Sequence, residues 1–139
     1  VEAHPRVLAR VRRHVCDHAR AHGLPEPDAR ALTLAVDEAA ANAIEHGMAG
    51  RPRGVLTVRA EPADGHLAVV LRYRGPRFDP PTAPRAGPAE ALGRRARHGY
   101  GLLLIERLVH EIRYGYAGGV NELRLIRRLP PRPLSSARP

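Results

Sequence analysis

The chain contains no tryptophan, one phenylalanine and one cysteine among its 139 residues. Because a single cysteine cannot form an intrachain disulfide, Cys16 is expected to be a small packed side chain in a reducing cytoplasm. No apolar run approaches the roughly 18 to 20 residues of a membrane span, and no signal peptide is visible. We therefore expect no membrane partner. The chain begins at Val1 rather than methionine, so an upstream piece is expected to be missing.

Lysine is also absent, so all 23 residues counted as Lys plus Arg are arginines, against 14 acidic residues. The resulting formal charge of +9 is typical of many nucleic-acid-binding domains. The arginines are scattered, however, and aromatic side chains that stack on bases do not alternate with them. Arginine without lysine, together with abundant Ala, Pro and Gly, indicates a GC-rich coding background. A nucleic-acid partner is therefore not favoured, and it would require affinity that falls steeply with salt.

Hydrophobic periodicity predicts the order helix, helix, strand, strand, long loop, helix, strand, strand. The helices are predicted over Pro5–His22, from the Pro25–Asp28 start signals to a stop at Gly47, and over Gly101–Val109. The strands are predicted over Val55–Ala60, Leu67–Tyr73, Glu111–Tyr116 and Val120–Arg127. This order predicts an α+β fold, a two-layer sandwich with helices on one face of a mixed, mostly antiparallel sheet.

One domain is predicted over residues 1–129. Within it, residues 74–98 are rich in Pro, Gly and Arg, and a loop of this length inside a compact domain is often a lid. Residues 130–139 have no core-forming pattern and are predicted to be a disordered tail.

The second predicted helix carries a polar stripe of Glu38, Asn42 and His46. Their spacing of four residues places the three side chains on one helix face. A carboxylate can deprotonate a nucleophile, and an amide oxygen is a suitable ligand for Mg²⁺. On its own, the stripe is more typical of the solvated face of an amphipathic helix.

A Gly-x-Gly motif, Gly99 to Gly101, joins the long loop to the third predicted helix. Glycines let the backbone approach a ligand closely, and the first N–H groups of a helix form an anion site. Alone, this motif most often marks a tight turn. After a lid-like loop, and together with the polar helix, it favours phosphate binding.

Taken together, these motifs resemble the GHKL (histidine-kinase-like) ATPase superfamily. The segment Asp37–Gly47 is similar to the N box of bacterial anti-sigma factor serine kinases. Further along the chain, Phe78–Pro80 is similar to the Phe-Asp-Pro sequence that the same group carries. Residues from about Pro5 to Leu129 can be laid along the pattern. The resemblance implies the two-layer Bergerat-type ATPase fold, with ATP and Mg²⁺ as cofactors.

The resemblance also implies roles for individual residues. Asn42 would ligate Mg²⁺ and Glu38 would be the general base towards a substrate serine, while His46 would lie beside the nucleotide or pack the helix end. The phosphates would be held by the glycine motif and the helix it starts: Gly99, Tyr100, Gly101 and Leu102. Members of the group bind a sigma factor and phosphorylate an anti-anti-sigma protein of the STAS type, so either is an expected partner.

The chain departs from this pattern in the G1 box. Tyr73 stands in place of the aspartate that accepts a hydrogen bond from the adenine amino group, and Arg77 stands in place of a glycine beside the nucleotide. Gly75 keeps its place between them. Loss of the charge-assisted contact is worth on the order of 1.5–3 kcal/mol, or about one to two decades of affinity.

Two functions therefore stay open at this stage. One is an active ATP-dependent serine/threonine kinase, and the other is a binding-only module of the same fold with weakened or lost ATP binding. The short strand that precedes the first helix in this group is not visible. An uncovered sheet edge could then pair with another chain, and a homodimer is expected by analogy only.

Overall fold

The computed structural model describes residues 6–47, 54–77 and 104–130. Two α-helices come first, α1 (Val7–Ala21) and α2 (Glu26–Asn42), and α2 continues into a π-helical turn, Ala43–Gly47. Four strands follow: β1 (Leu56–Ala63), β2 (His66–Arg74), β3 (Glu111–Ala117) and β4 (Val120–Arg128). Residues 104–108 are helical and precede β3. The predicted α+β class and the order of elements are confirmed.

The described strands form one sheet in the order β1-β2-β4-β3, and all three pairings are antiparallel. Both hairpins close through two-residue turns, Asp64-Gly65 and Gly118-Gly119, whose glycines have positive φ values of 78°, 59° and 78°. The first hairpin is tighter than predicted because β1 continues through Pro62, which pairs with Leu67. Proline is tolerated there because β1 lies at one edge of the described sheet.

The core lies between the helices and one face of the sheet. The predicted helical stripes are confirmed, since Val11 and Val15 of α1 and Leu32 and Val36 of α2 are buried. They pack against alternate residues of the central strands, whose side chains point to the same face. These sheet residues are Leu67, Val69, Leu71, Tyr73 and Leu125.

The connection between the two helices follows from its sequence. Gly23 adopts φ 92° directly after α1, a conformation that glycine reaches without steric cost. Pro25 then precedes α2, and the acids Glu26 and Asp28 occupy its first turn, where the helix dipole favours negative charge. The tight connection lays α2 antiparallel to α1 and over the sheet.

The second helix differs from its prediction at its C-terminal end. It was expected to be α-helical up to Gly47, but the α-helix ends at Asn42 and the last five residues are π-helical. Isolated π-helical turns are rare and occur frequently at functional sites. Nothing in the alanine-rich sequence distinguishes the two hydrogen-bond patterns, so this change could not be predicted.

Arg127 joins three elements of the fold. Its Nε and Nη2 atoms lie 3.0 and 2.7 Å from Asp28 Oδ1 at the start of α2, and its Nη1 donates to the Leu108 carbonyl at 2.6 Å. Both charged side chains are largely buried. The guanidinium therefore fixes α2 and the 104–108 helical segment relative to β4, and these elements enclose the site described below.

Many other arginines pair with carboxylates on the molecular surface. Ion pairs join Arg12 to Asp37, Arg20 to Glu26, Arg72 to Glu122, and Arg124 to Glu61. Pairing with Arg124 and Arg59 holds the pKa of Glu61 below its usual range. In the described part of the chain, the charges of these arginines are thus balanced locally by acids.

We predict that the free energy of unfolding falls as the pH drops below about 6.5. Burial, with Arg127 and Arg128 nearby, lowers the pKa of His110, whose Nδ1 accepts a 2.9 Å hydrogen bond from the Arg128 N–H. As the pH falls, His110 is therefore protonated in the unfolded chain before it is protonated in the folded chain. Stability that is present above pH 6.5 is lost as the pH falls towards the lowered pKa of His110 in the folded chain. Burial and the nearby His18 also lower the pKa of His14. His14 therefore contributes to the same loss of stability at low pH.

Urea denaturation between pH 7.5 and 5.5 measures this dependence. A His110→Asn variant keeps an acceptor but cannot titrate, and it should show a shallower pH dependence than the parent. An identical dependence in both proteins would contradict the assignment to His110.

No helix in the three described segments is long and apolar enough to cross a membrane.

Candidate functional site

A pocket lies between the end of α2 and the inner face of the sheet. Its empty space is about 360 Å³, a volume that includes open solvent at its mouth. The lining is mainly apolar and comprises Ala39, Asn42, Ala43, Leu71, Tyr73, Ile105, Tyr114 and Leu123. Ala39 and Ala43 are four residues apart, so the helix presents two small side chains to the pocket.

Asn42 is the polar residue that α2 brings to this pocket. It is half-buried and occupies the last position of the α-helix, directly before the π-helical turn. Glu38 is also half-buried one turn earlier, but it does not line the pocket. The helix therefore places an amide in the pocket and a carboxylate next to it.

Glu38 differs from the neighbouring carboxylate of Asp37. Asp37 accepts a hydrogen bond from Arg12 Nη1 at 2.7 Å and ties α2 to α1. Within residues 6–47, 54–77 and 104–130, no side chain forms an ion pair with Glu38. Of these two adjacent acids, Asp37 has a structural role, and Glu38 is the one available to a ligand or substrate.

Tyr73 faces Asn42 across the same pocket. It is only 8% exposed and lies on the inner face of β2, opposite Asn121 of β4. Burial, and to a smaller extent Tyr114, raises the pKa of Tyr73 to about 12, so its hydroxyl keeps its proton at neutral pH. The sheet thus presents a buried neutral phenol to the pocket, opposite the helix that carries Asn42.

Asn121 anchors the segment that follows Tyr73. It is fully buried, and its Nδ2 donates to the Pro76 carbonyl at 3.0 Å and to the Gly75 carbonyl at 3.5 Å. Its Oδ1 accepts a hydrogen bond from the Tyr114 hydroxyl. The Tyr116 hydroxyl also donates to the Gly75 carbonyl, at 3.3 Å. These contacts hold Gly75 and Pro76 against the β3–β4 hairpin at one end of the pocket.

We predict that an Asn121→Leu variant lowers the free energy of unfolding by about 2–4 kcal/mol. The substitution keeps side-chain size but leaves the Tyr114 hydroxyl and the Pro76 carbonyl without their partner. Urea denaturation measures the effect. In a Tyr116→Phe control, only one long, part-buried hydrogen bond is lost, and we expect a cost below about 1 kcal/mol. Equal costs for both variants would contradict the anchoring role of Asn121.

The structure thus brings together some of the residues predicted from sequence. Asn42 and Tyr73 line one pocket, Gly75 is buried at its end, and Arg77 is exposed. The backbone of His46 lies in the π-helical turn, but its side chain is outside the described part of the structure. The four residues proposed for phosphate contact are also outside it: Gly99, Tyr100, Gly101 and Leu102.

Sequence reasoning missed Asn121, Tyr114 and Ile105. A buried polar side chain in the middle of a strand pattern was the available signal for Asn121, since such groups need internal partners. Ile105 falls within the third predicted helix, Gly101–Val109, but no sequence motif placed it in a site. The position of Ile105 in the pocket depends on how the third helix packs. Arg127 of β4 fixes that packing through its hydrogen bond to the Leu108 carbonyl.

Among the described residues, no group of three His, Cys, Asp or Glu side chains is arranged to hold a metal ion. A metal at this site would therefore depend on Asn42 and on oxygen ligands brought by the bound molecule. Such a donor set is typical of Mg²⁺ in nucleotide sites, where substrate phosphates and water complete the coordination.

Fold and pocket together define the class of protein: a two-layer α+β domain with a mainly apolar pocket between its second helix and an antiparallel sheet. A family model described as the histidine kinase-like ATPase domain matches residues 1–127. The chain therefore belongs to the histidine kinase-like ATPase family. A comparison with curated proteins finds no match.

Solved structures share this fold. The RsbU and RsbW domains of Rv1364c from Mycobacterium tuberculosis superpose with a TM-score of 0.66 at 24% identity, covering 93% of this chain and 31% of that chain. The histidine kinase domain of the Erythrobacter litoralis EL346 blue-light activated histidine kinase superposes with a TM-score of 0.59 at 20% identity. The match covers 88% of this chain and 59% of that chain. The chain thus spans less than two thirds of either protein.

Proposed function

We propose that this domain binds ATP with Mg²⁺ and regulates a protein partner in the manner of anti-sigma factor serine kinases. The observation that supports it most is the joint position of Asn42 and a mainly apolar pocket at the end of α2. Membership of the histidine kinase-like ATPase family supports nucleotide binding as the activity of this pocket.

The apolar lining suits the flat face of a nucleobase. A purine ring would lie between Ala39 and Ala43 on one side and Leu71 and Leu123 on the other, and water would be excluded from both faces. Asn42 would hold Mg²⁺ through its amide oxygen, and the metal would offset the negative charge of the phosphates. The glycine motif Gly99–Gly101 would bind the phosphates themselves.

Glu38 would be the general base for transfer to a serine hydroxyl. It lies one helical turn from Asn42, so a hydroxyl placed beside the metal-bound phosphate is within reach of its carboxylate. Asp37 is paired with Arg12 and is therefore not the candidate. Glu38 has no ion-pair partner among the described residues, and it is also the acid that the sequence pattern assigns to the role of base.

The partner would be a STAS-domain anti-anti-sigma protein, a sigma factor, or both. This part rests on the sequence similarity to anti-sigma kinases and on the shared fold with a protein that carries a domain named RsbW. The test is to incubate the domain with a STAS partner, ATP and Mg²⁺, and to weigh the partner by intact mass spectrometry. A gain of one phosphate is the expected result, and an unchanged mass at full complex formation would contradict kinase activity.

A binding-only module of the same fold is the second candidate, favoured by Tyr73. The buried phenol replaces a carboxylate, and Arg77 replaces a glycine at the edge of the same segment. Such a module would bind the STAS or sigma partner without phosphate transfer, and ATP would bind weakly or not at all.

We predict that the double reversal Tyr73→Asp with Arg77→Gly raises ATP affinity by about one to two decades. Calorimetric titration of the parent and the variant with ATP and Mg²⁺ measures the change. The single variant Arg77→Gly is the control, because it shows how much of the change in ATP affinity comes from the exposed position alone. An unchanged affinity in the double variant would mean that these two residues do not limit nucleotide binding.

A further inference from the structure

We propose that Tyr73 gives the pocket a preference for 6-oxo purine nucleotides, such as ITP, over ATP. This inference rests on the proposed nucleotide binding and concerns which base the pocket selects. It follows from a buried tyrosine that lines the pocket and whose hydroxyl has no hydrogen-bond acceptor among the described residues.

The first step is the state of the Tyr73 hydroxyl. Tyr73 is more than nine-tenths buried and lines the pocket. Within the described segments, no backbone or side-chain group forms a hydrogen bond with this hydroxyl. A buried hydroxyl without a partner is costly, so a ligand that accepts its proton gains both the hydrogen bond and relief of that cost.

The second step is that the neighbouring amide is already engaged. Asn121 lies directly opposite Tyr73 on β4, but its Oδ1 accepts from Tyr114 and its Nδ2 donates to the Gly75 and Pro76 carbonyls. The amide is therefore held away from the ligand by the segment it anchors. The polar group that β2 offers to the pocket is the Tyr73 hydroxyl.

The third step compares the two kinds of base. Adenine carries an exocyclic amino group, which is a donor, whereas a 6-oxo purine carries an acceptor oxygen at the same position. A carboxylate only accepts, so it suits adenine and rejects the oxo group. A neutral phenol can donate to the oxo group, but against the amino group it must act as acceptor, and its own proton stays unpaired.

The experiment is calorimetric titration of the whole chain with Mg²⁺ and either ATP or ITP. We expect ITP to bind about threefold to tenfold more tightly than ATP, the size of one hydrogen bond. A Tyr73→Phe variant keeps the ring and removes the hydroxyl, so its preference should fall to about one. A Tyr73→Asp variant should reverse the preference towards ATP by about tenfold or more.

A Leu34→Ala variant is the control, because Leu34 is an exposed side chain of α2 that does not line the pocket. Its preference should equal that of the parent chain. A parent that prefers ATP, or a Tyr73→Phe variant with the parent's preference, would overturn the inference while leaving nucleotide binding intact. If neither nucleotide binds the parent, both the inference and the proposed nucleotide binding are wrong.

Discussion

An Asn42→Ala variant is expected to bind ATP in the presence of Mg²⁺ at least about a hundredfold more weakly than the parent chain. The substitution removes the amide oxygen proposed to ligate the metal, and the metal supplies several kcal/mol of contact with the phosphates. The fold should be retained, because Asn42 is half-buried at a helix end and alanine favours helix. Calorimetric titration with and without Mg²⁺ measures the loss.

The control for Asn42→Ala is Leu34→Ala on the same helix. Leu34 is exposed and does not line the pocket, so its removal should leave ATP affinity unchanged. In the parent, removing Mg²⁺ should weaken ATP binding by a similar factor, and in Asn42→Ala it should have little effect. Full Mg²⁺ dependence in the variant would contradict the role of Asn42 as a metal ligand.

A Glu38→Gln variant is expected to lower the rate of phosphate transfer to a STAS partner by a factor of about 10² to 10⁴, the usual contribution of a general base. Glutamine has the same shape as glutamate but cannot take up the serine proton. ATP affinity should stay within about threefold of the parent, since Glu38 does not line the pocket. Single-turnover phosphorylation followed by intact mass measures the rate.

An Asp37→Asn variant is the companion to Glu38→Gln. It alters the neighbouring carboxylate, which is paired with Arg12, and should reduce stability slightly without a comparable loss of rate. Equal rate losses in the two variants would contradict the assignment of Glu38 as the base. A parent chain that phosphorylates no partner would favour the binding-only module.

The fold could be predicted largely from local patterns in the sequence. Helical spacing predicts the buried stripe of α2, and Gly118-Gly119 predicts the second hairpin; both are confirmed. These features depend on neighbours in sequence, where periodicity and turn chemistry decide the structure. The strand bounds were less accurate, since β1 runs through Pro62 because that strand lies at an edge.

The site could be predicted only in part. The polar stripe predicts Asn42 as a site residue, and the structure adds that it shares a pocket with Tyr73. The network around Asn121 could not be derived, because the Gly75 and Pro76 carbonyls that accept from its amide lie 46 and 45 residues away along the chain. The Arg127–Asp28 contact, which fixes two walls of the pocket, spans 99 residues. Such long-range contacts depend on the assembled sheet and leave no local pattern.

The central claim is that nucleotide binds between α2 and the inner face of the sheet. It is tested most directly by methyl and amide NMR spectra of the chain titrated with ATP or ITP in the presence of Mg²⁺. We predict saturable shifts of Ala39, Ala43, Leu71 and Leu123 in the pocket, with little change at Val70 on the opposite sheet face. Absence of shifts at millimolar nucleotide, or shifts confined to the opposite face, would contradict the proposed site.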